Sequence, residues 1–225
     1  MTSASESWDR EYRQGRYRSE PLIPFVDHTI ETLGRRPEVR MGRGLYIGCR
    51  NGRNYIPLCD AGLDLWGLDV AGEALEQLGS VRPDIAHRLI HLDLGDFEPD
   101  SLFDYVIAIQ VFQHGPEATV RSMIARTTGL LKDGGLLFVR FNSASTEVYH
   151  PHEVIEKTES GGFTVMYTGG SKTGLSIHFL SRMGLEAITS EWFTAIEPIE
   201  ERVMPREAAK HGYWGLTACS GVCYG

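Results

Sequence analysis

The chain has 225 residues, of which 42% are hydrophobic and 23% are charged, and its formal net charge is −8 at pH 7. This length fits one α/β domain with a small addition, and the acidic balance argues against nucleic acid as a partner, because phosphate contacts need clustered Lys and Arg. No apolar run approaches the roughly 18 residues of a membrane span, and no signal segment opens the chain, so we expect a cytoplasmic protein without membrane contact.

Cysteine and histidine spacing does not predict a disulfide framework or a metal centre. Cys219 and Cys223 are separated by three residues, and on a strand they would share one face but lie too far apart to hold one ion. His150 and His152 also share one side of an extended chain, but no third ligand is evident. We interpret them as surface or substrate-facing histidines and expect no metal.

Residues 1–42 are predicted to form a helical cap. Near its start, Trp8, Tyr12 and Tyr17 lie among four arginines. This combination suits a lid over a zwitterionic or anionic ligand, because guanidinium groups pair well with carboxylates. The sequence leaves open the alternative that these rings belong to a helix that only packs on the domain. Residues 21–33 then have the spacing of an amphipathic helix.

A strand, a turn and a helix are predicted over residues 43–60. Leu45, Tyr46 and Ile47 form a β-prone run that ends at Gly48, and helical spacing resumes from residue 54. Glycines at positions 48 and 52 let the backbone approach a ligand closely, and the start of the helix presents unpaired amides to it. The pattern indicates a nucleotide-type site, and the alternative is a tight turn without a ligand.

The second predicted strand, residues 63–70, ends in a carboxylate. Asp69 follows Gly48 by 21 positions, the spacing at which an acidic residue accepts hydrogen bonds from a ribose diol. The sequence therefore predicts a cofactor that contains adenosine. A dinucleotide is disfavoured, because Arg50 occupies the middle position that G-x-G-x-x-G sites reserve for glycine.

Three further strands are predicted to end in polar residues at the same edge of the sheet. Residues 88–92 lead into Asp93, residues 102–110 lead into Gln113 and His114, and residues 136–142 follow a helix over residues 116–131. In an open α/β sheet, ligands bind at the carboxyl ends of the strands. These residues are therefore candidates for one site.

In its motifs and their order, the segment from residue 44 to residue 142 resembles the class I S-adenosylmethionine-dependent methyltransferases. Gly48 and Gly52 fit the first and third glycines of motif I, and FDYVIAIQVFQH followed by LLKDGGLLFVRF is similar to motifs IV to VI. Two residues depart from the pattern: Tyr46 replaces an acidic residue, and Arg50 replaces the middle glycine. Arg50 is compatible with the turn only if its φ is negative or its strain is offset elsewhere.

The resemblance implies a fold, a cofactor and a set of binding residues. The expected fold is α/β, with a Rossmann-like, seven-stranded, mostly parallel sheet, helices on both faces and an antiparallel last strand, over residues 43–225. The expected cofactor is S-adenosylmethionine, with the Asp93 carboxylate on the adenine amino group and the next amide on a ring nitrogen. The cofactor-binding candidates are Gly48, Cys49, Gly52, Asn54, Asp69, Val70, Asp93, Leu94 and Gln110.

The acceptor side is read from residues that follow the fourth and fifth strands. His114 is the candidate general base, and the alternative is a helix-entry residue bonded to the backbone. The candidate substrate-binding residues are Trp8, Tyr17, Gln113, Arg140, Asn142 and Tyr149.

The remainder of the chain is predicted from local patterns. An insert at residues 143–170 contains a hairpin of residues 153–158 and 163–168, and we interpret it as a lid or an oligomer contact. We further predict a helix over residues 172–183, a sixth strand over 185–196 and a seventh, antiparallel edge strand over 213–224.

Taken together, the sequence predicts an enzyme that methylates N or O of a small molecule, as a monomer or homodimer. A protein substrate is an alternative within the same enzyme class. A non-catalytic cofactor-binding module is an alternative from another class, motivated by Tyr46 and Arg50. A nicotinamide-dependent dehydrogenase is disfavoured by the turn and by Asp93.

Overall fold

The computed structural model describes residues 8–9, 12–13, 22–206 and 214–224. Its contacts divide the chain into two compact units. The first unit comprises Met1–Ile107 and Leu130–Leu136, and the second comprises Ala108–Gly129 and Leu137–Gly225. Tyr17 lies outside the described residues.

Among its described residues, the first unit contains the α-helices α1 Phe25–Gly34, α2 Pro37–Arg40, α3 Tyr55–Asp60 and α4 Gly72–Val81. Helix α1 buries one face, formed by Phe25, Val26, Thr29, Thr32 and Leu33, as its amphipathic spacing predicts. Its strands are β1 Arg43–Ile47, β2 Asp64–Asp69, β3 Leu89–His91 and the first parts of β4 Phe103–Ile109 and β5 Leu131–Asn142. Their order in the sheet is β5-β4-β1-β2-β3.

The strands of the first unit run parallel, so their carboxyl ends share one edge of the sheet. Strand β1 pairs with β2 so that Ile47 lies opposite Leu68, and β2 pairs with β3 so that Asp69 lies opposite His91. Residues 105–107 of β4 are fully buried, as expected for a strand covered on both faces. This arrangement places the turn after β1, Asp69 and the loop after β3 next to each other.

The second unit contains helices α5 Glu117–Thr128 and α6 Arg182–Thr189 and two groups of strands. One group consists of the remaining parts of β4 and β5 together with β9 Thr194–Ala195, β10 Glu200–Arg206 and β11 Trp214–Tyr224. The strand order in this group is β10-β11-β5-β4, and β9 pairs with β11. The other is a separate antiparallel sheet of β6 His152–Lys157, β7 Phe163–Tyr167 and β8 Ser176–Phe179.

Several sequence predictions are confirmed, and several are wrong. The parallel core and the hairpin of β6 and β7 are as expected. The last strand, β11, is antiparallel to its neighbour β10, a strand that the sequence did not predict. The strand count differs: among the described residues the larger sheet has eight strands rather than seven. Strand β11 is also not at the edge, because β10 lies outside it.

The predicted helix over residues 172–183 and the predicted strand over residues 185–196 are both wrong. Residues 176–179 form β8, which pairs with β7, and helix α6 begins only after Ser181. The Ser181 hydroxyl accepts a hydrogen bond from the Gly184 amide at 2.9 Å, which is a typical N-cap. Gly174 has a φ of +85°, which interrupts any helix through this segment.

Two features of the described residues bear on function. None of their helices is long and apolar enough to cross a membrane. The same residues contain no group of three or more His, Cys, Asp or Glu side chains placed to hold a metal ion.

Candidate functional site

The turn after β1 is built from left-handed backbone conformations. Gly48, Arg50 and Gly52 have φ values of +73°, +54° and +92°. At Gly52, a Cβ atom would also lie 2.6 Å from Leu78 Cδ1 and 2.8 Å from Ile56 Cδ1. Glycine at this position is therefore required both by its backbone conformation and by the close packing of helix α4.

Arg50 adopts the conformation that was expected to be strained. A left-handed conformation costs a non-glycine residue about 1–2 kcal/mol. Two contacts offset this cost. The Arg50 amide donates a hydrogen bond to Asp69 Oδ2 at 2.7 Å, and the guanidinium carbon lies 5.7 Å from the centre of the Trp8 ring, within the range of a cation–π interaction.

Asp69 ends β2 and is 8% exposed. Its two carboxylate oxygens accept hydrogen bonds from different backbone amides, Oδ2 from Arg50 and Oδ1 from Ala71 at 2.9 Å. Burial raises the pKa of Asp69, and these amides and the Arg50 charge oppose the rise. Because an ionised carboxylate oxygen has two lone pairs, each oxygen retains acceptor capacity for a ligand.

Tyr46 replaces the expected acidic residue with a buried neutral group. Its hydroxyl forms a hydrogen bond with the Asn54 carboxamide, and burial raises its pKa well above the ordinary value. The Asn54 Oδ1 atom in turn accepts a hydrogen bond from the Ile23 amide at 3.4 Å. The Tyr46 ring meets Tyr55 edge to face, with ring centres 5.9 Å apart. Asn54, a predicted cofactor residue, is therefore held by side-chain and backbone partners.

The loop after β3 lies beside Asp69. The Leu92 amide donates a hydrogen bond to the Asp69 carbonyl oxygen at 3.2 Å. Asp93 is exposed, and its Oδ1 accepts a hydrogen bond from the Gly95 amide at 2.8 Å. Leu94 and Val70 are half-buried. The first unit thus brings the glycine turn, Asp69 and the start of this loop together, as the sequence predicts.

Sequence reasoning missed His91 in this region. Its Nε2 atom lies 3.1 Å from the Val70 carbonyl oxygen, and a Cβ on Gly72 would lie 2.9 Å from its Cε1 atom. The only sequence signal was a histidine two positions before Asp93, which local patterns do not distinguish from a solvated residue.

Four predicted residues of the second unit form one hydrogen-bond network. Gln110, which follows β4, donates a hydrogen bond from its side-chain amide to Asn142 Oδ1 at 2.8 Å. Its backbone amide donates a second hydrogen bond to the Arg140 carbonyl oxygen at 2.8 Å. The Gln113 side-chain oxygen accepts a hydrogen bond from the Asn142 amide at 2.9 Å. Gln113, Arg140 and Asn142 are all buried. Gln110 has a φ of +54°, an uncommon conformation that this network holds.

His114 is half-buried and pairs with Ile177 of β8 in an isolated antiparallel bridge. The Gln113 carbonyl oxygen accepts a hydrogen bond from the His178 amide at 2.8 Å. The segment after β4 is therefore fixed along the edge of β8. Tyr149 is 66% exposed, so its ring is open to a ligand or to solvent.

A buried polar chain accompanies β8. His178 is fully buried, and its Nδ1 atom lies 2.8 Å from Thr164 Oγ1, which in turn donates a hydrogen bond to Glu156. The Glu156 carboxylate also accepts a hydrogen bond from the Glu117 amide at 3.0 Å, at the start of α5. Burial lowers the pKa of His178, although the charges of Glu117 and Glu156 act in the opposite direction.

Comparison with known proteins decides between the nucleotide-type sites that this geometry allows. Residues 45–137 match a family model described as a methyltransferase domain. The chain contains a methyltransferase domain. Methyltransferases of this family use S-adenosylmethionine, so the predicted family, enzyme class and cofactor are confirmed. No protein with a curated description matches the chain significantly.

Solved structures of methyltransferases share the fold. One is 1,6-didemethyltoxoflavin-N1-methyltransferase from Burkholderia thailandensis, bound to 1,6-didemethyltoxoflavin and S-adenosylhomocysteine. Its sequence is 13% identical to this chain, and its TM-score is 0.65. The match covers 100% of this chain and 91% of that protein. Another is the N-methyltransferase NodS from Bradyrhizobium japonicum in complex with S-adenosylhomocysteine. Its sequence is 14% identical, the match covers 97% of each chain, and the TM-score is 0.59. A third is an S-adenosylmethionine-dependent methyltransferase from Clostridium acetobutylicum, at 12% identity, 88% and 89% coverage and a TM-score of 0.63.

Proposed function

We propose that this methyltransferase acts on a nitrogen or oxygen atom of a small molecule. The observation that supports a bound cofactor is the Asp69 carboxylate, which accepts hydrogen bonds from two backbone amides at the carboxyl edge of the parallel sheet, beside the glycine turn. The solved structures that share the fold include proteins named for N-methylation, one of them bound to 1,6-didemethyltoxoflavin. The net charge of −8 further favours a compact metabolite over nucleic acid.

The residues present fit the cofactor in their donor and acceptor chemistry. A ribose diol brings two donors, and the two Asp69 oxygens retain acceptor capacity. The adenine amino group is a donor that suits the exposed Asp93 carboxylate. The residues proposed to hold the cofactor are Gly48, Cys49, Gly52, Asn54, Asp69, Val70, Asp93, Leu94 and Gln110.

The chain's own residues have three tasks in this reaction. The cofactor supplies a methyl group on a sulfonium, whose leaving group is a neutral thioether. Because the donor is already activated, the protein mainly aligns the acceptor and excludes water. His114 is proposed to remove a proton from the acceptor, and Gln113, Arg140 and Asn142 are proposed to orient it, with Trp8, Tyr17 and Tyr149 as further contacts.

The non-catalytic alternative is weakened by the way Tyr46 and Arg50 are accommodated. A decayed site predicts that substitutions accumulate without compensating contacts. Here the Tyr46 hydroxyl has a partner in Asn54, and the Arg50 guanidinium has a partner in the Trp8 ring. Both departures are therefore integrated into the turn, which supports a site that still binds its cofactor.

The acceptor class is tested by following S-adenosylhomocysteine release over a panel of small amines, hydroxyl compounds and heterocycles. We expect turnover with at least one of them, and His114→Gln should lower kcat by about 100-fold or more if His114 is the base. His87→Gln, at an exposed position, is the matched control. Turnover with a protein substrate and none across the panel would overturn the small-molecule assignment.

A further inference from the structure

Arg50 makes contacts that glycine at this position cannot make. Its guanidinium lies over Trp8, and its charge opposes the rise in the pKa of Asp69. We infer that Arg50 is a positioning residue that fastens the N-terminal cap, defined here as Trp8, Asp9, Tyr12 and Arg13, to the Asp69 end of the cofactor site. This inference rests on the proposed function of that site.

The first step is that Asp69, Arg50, Trp8 and Ala71 form a closed ring of contacts. The Asp69 carboxylate accepts hydrogen bonds from the Arg50 and Ala71 amides at 2.7 Å and 2.9 Å. Trp8 packs against a buried cluster that contains Ala71, and the Arg50 guanidinium closes the ring over the face of Trp8. A ligand that displaces or orients Asp69 therefore acts on the cap through two routes, one through Arg50 and the other through Ala71.

The second step is that the cap is anchored on α4 independently of Arg50. Asp9 Oδ1 accepts a hydrogen bond from the Glu73 amide at 3.0 Å, which satisfies one of the open amides at the start of that helix. Arg13 pairs with the Glu73 carboxylate at 3.3 Å. Tyr12 is 1% exposed, and its carbonyl oxygen accepts a hydrogen bond from Gln77 at 3.2 Å. The cap thus has a docked position, and Arg50 connects that position to Asp69.

The third step follows from linkage. If the docked cap favours the arrangement of Asp69 that binds the cofactor, then bound cofactor must favour the docked cap by the same factor. Substituting the expected glycine at position 50 relieves the left-handed backbone and removes the guanidinium. It therefore removes the guanidinium contact between the cap and the site, leaves the packing of Trp8 against the Ala71 cluster in place, and does not threaten the fold.

A double-mutant cycle on S-adenosylhomocysteine binding tests the inference. Trp8→Leu retains apolar packing but removes the aromatic face, and it is measured by calorimetry in the wild-type, R50G and R53G backgrounds. Arg53, which is half-buried in the same turn, provides the matched control. We expect W8L to weaken binding about 5-fold in the wild-type and R53G backgrounds and by less than about 1.5-fold in the R50G background, in line with a partly desolvated cation–π contact.

Hydrogen–deuterium exchange of the N-terminal peptide provides a readout that a merely structural role does not move. S-adenosylhomocysteine should slow exchange across residues 8–13 in the wild type and in R53G but not in R50G. Equal effects of W8L in all three backgrounds, or equal protection in R50G, would overturn the inference while leaving the proposed function intact. A wild-type protein that does not bind S-adenosylhomocysteine would overturn both.

Discussion

The hydroxyl of Tyr46 and the carboxamide of Asn54, which flank the glycine turn in the chain, share a buried hydrogen bond. The same Asn54 side chain accepts a hydrogen bond from the amide of Ile23, which precedes helix α1 in the sequence. Through this pair, the residue that departs from the methyltransferase pattern links the turn to the N-terminal part of the chain. The departing residue therefore has a hydrogen-bond partner at its buried position.

The first prediction concerns this pair. Tyr46→Phe should lower the free energy of unfolding by about 1–2 kcal/mol, because it leaves a buried carboxamide with one partner fewer. Tyr46→Glu, which restores the acidic residue of the family, should cost more, since the carboxylate would lose its hydration at a fully buried position and the charges of Arg50 and Arg53 would offset only part of that loss. Urea unfolding measures both, and a Glu variant as stable as the wild type would contradict the account.

The second prediction separates steric cost from backbone strain at two glycines with similar φ. Gly52→Ala should destabilise the protein by about 2–4 kcal/mol, because a left-handed conformation is combined with a clash against Leu78. Gly62, with a φ of +83° and no atom within 4 Å of an added Cβ, is the matched control, and Gly62→Ala should cost only about 1 kcal/mol. Equal costs in thermal unfolding would show that helix α4 yields to the added methyl group.

The third prediction concerns the network of Gln113 and Asn142. Gln113→Met retains most of the side-chain volume but removes the acceptor of the buried Asn142 amide, so it should cost about 1–3 kcal/mol. Gln113→Ala should cost more, because it adds a cavity. Chemical denaturation compares the three proteins. A Met variant with wild-type stability would mean that the hydrogen bond contributes nothing net.

The fourth prediction is a pH dependence of stability that arises from His178. Burial lowers its folded-state pKa below the ordinary value of 6.5, so the unfolded state takes up a proton before the folded state does. Stability is therefore retained above about pH 7 and lost as the pH falls through 6.5, by at most about 1.4 kcal/mol per pH unit. Glu156 and Glu117, which face the ring from β6 and α5, reduce the effect without reversing it.

Unfolding free energies measured between pH 7.5 and pH 5 test this dependence. His178→Gln should flatten the profile, whereas His87→Gln, at an exposed position, should leave it unchanged. A profile of His178→Gln that falls as steeply as the wild type would assign the loss of stability to other groups.

How much of the structure could be predicted depends on whether the deciding contacts are local. The strand before Gly48, the carboxylate at the end of β2 and the helix after Pro116 are specified by residues close in sequence, and all three are where the patterns predict them. Residues 176–179 were predicted as part of a helix, because their pairing with β7 is a tertiary contact. Such pairing overrides local propensity, and a four-residue segment in which Ile177 and Phe179 alternate with Ser176 and His178 does not reveal its own partner.

In the candidate site, too, the features set by local sequence could be predicted and those set by tertiary contacts could not. The spacing of Gly48 and Asp69 predicts a nucleotide-type site, because that spacing is set by one strand–turn–helix–strand unit. The roles of Tyr46 and Arg50 could not be predicted, since their partners Asn54 and Trp8 are brought to them by the fold. A single sequence shows that these residues depart from a pattern but not what compensates for the departure.

The most direct test of the account is calorimetric titration of the protein with S-adenosylhomocysteine, comparing the wild type with Asp69→Ala and Asp64→Ala. Asp64 begins the same strand, is exposed and pairs with Arg88 at 3.0 Å, so its loss should leave binding unchanged. We predict micromolar binding by the wild type and by Asp64→Ala, and affinity at least about 100-fold weaker in Asp69→Ala. Equal affinity of the two variants would contradict the placement of the cofactor at Asp69.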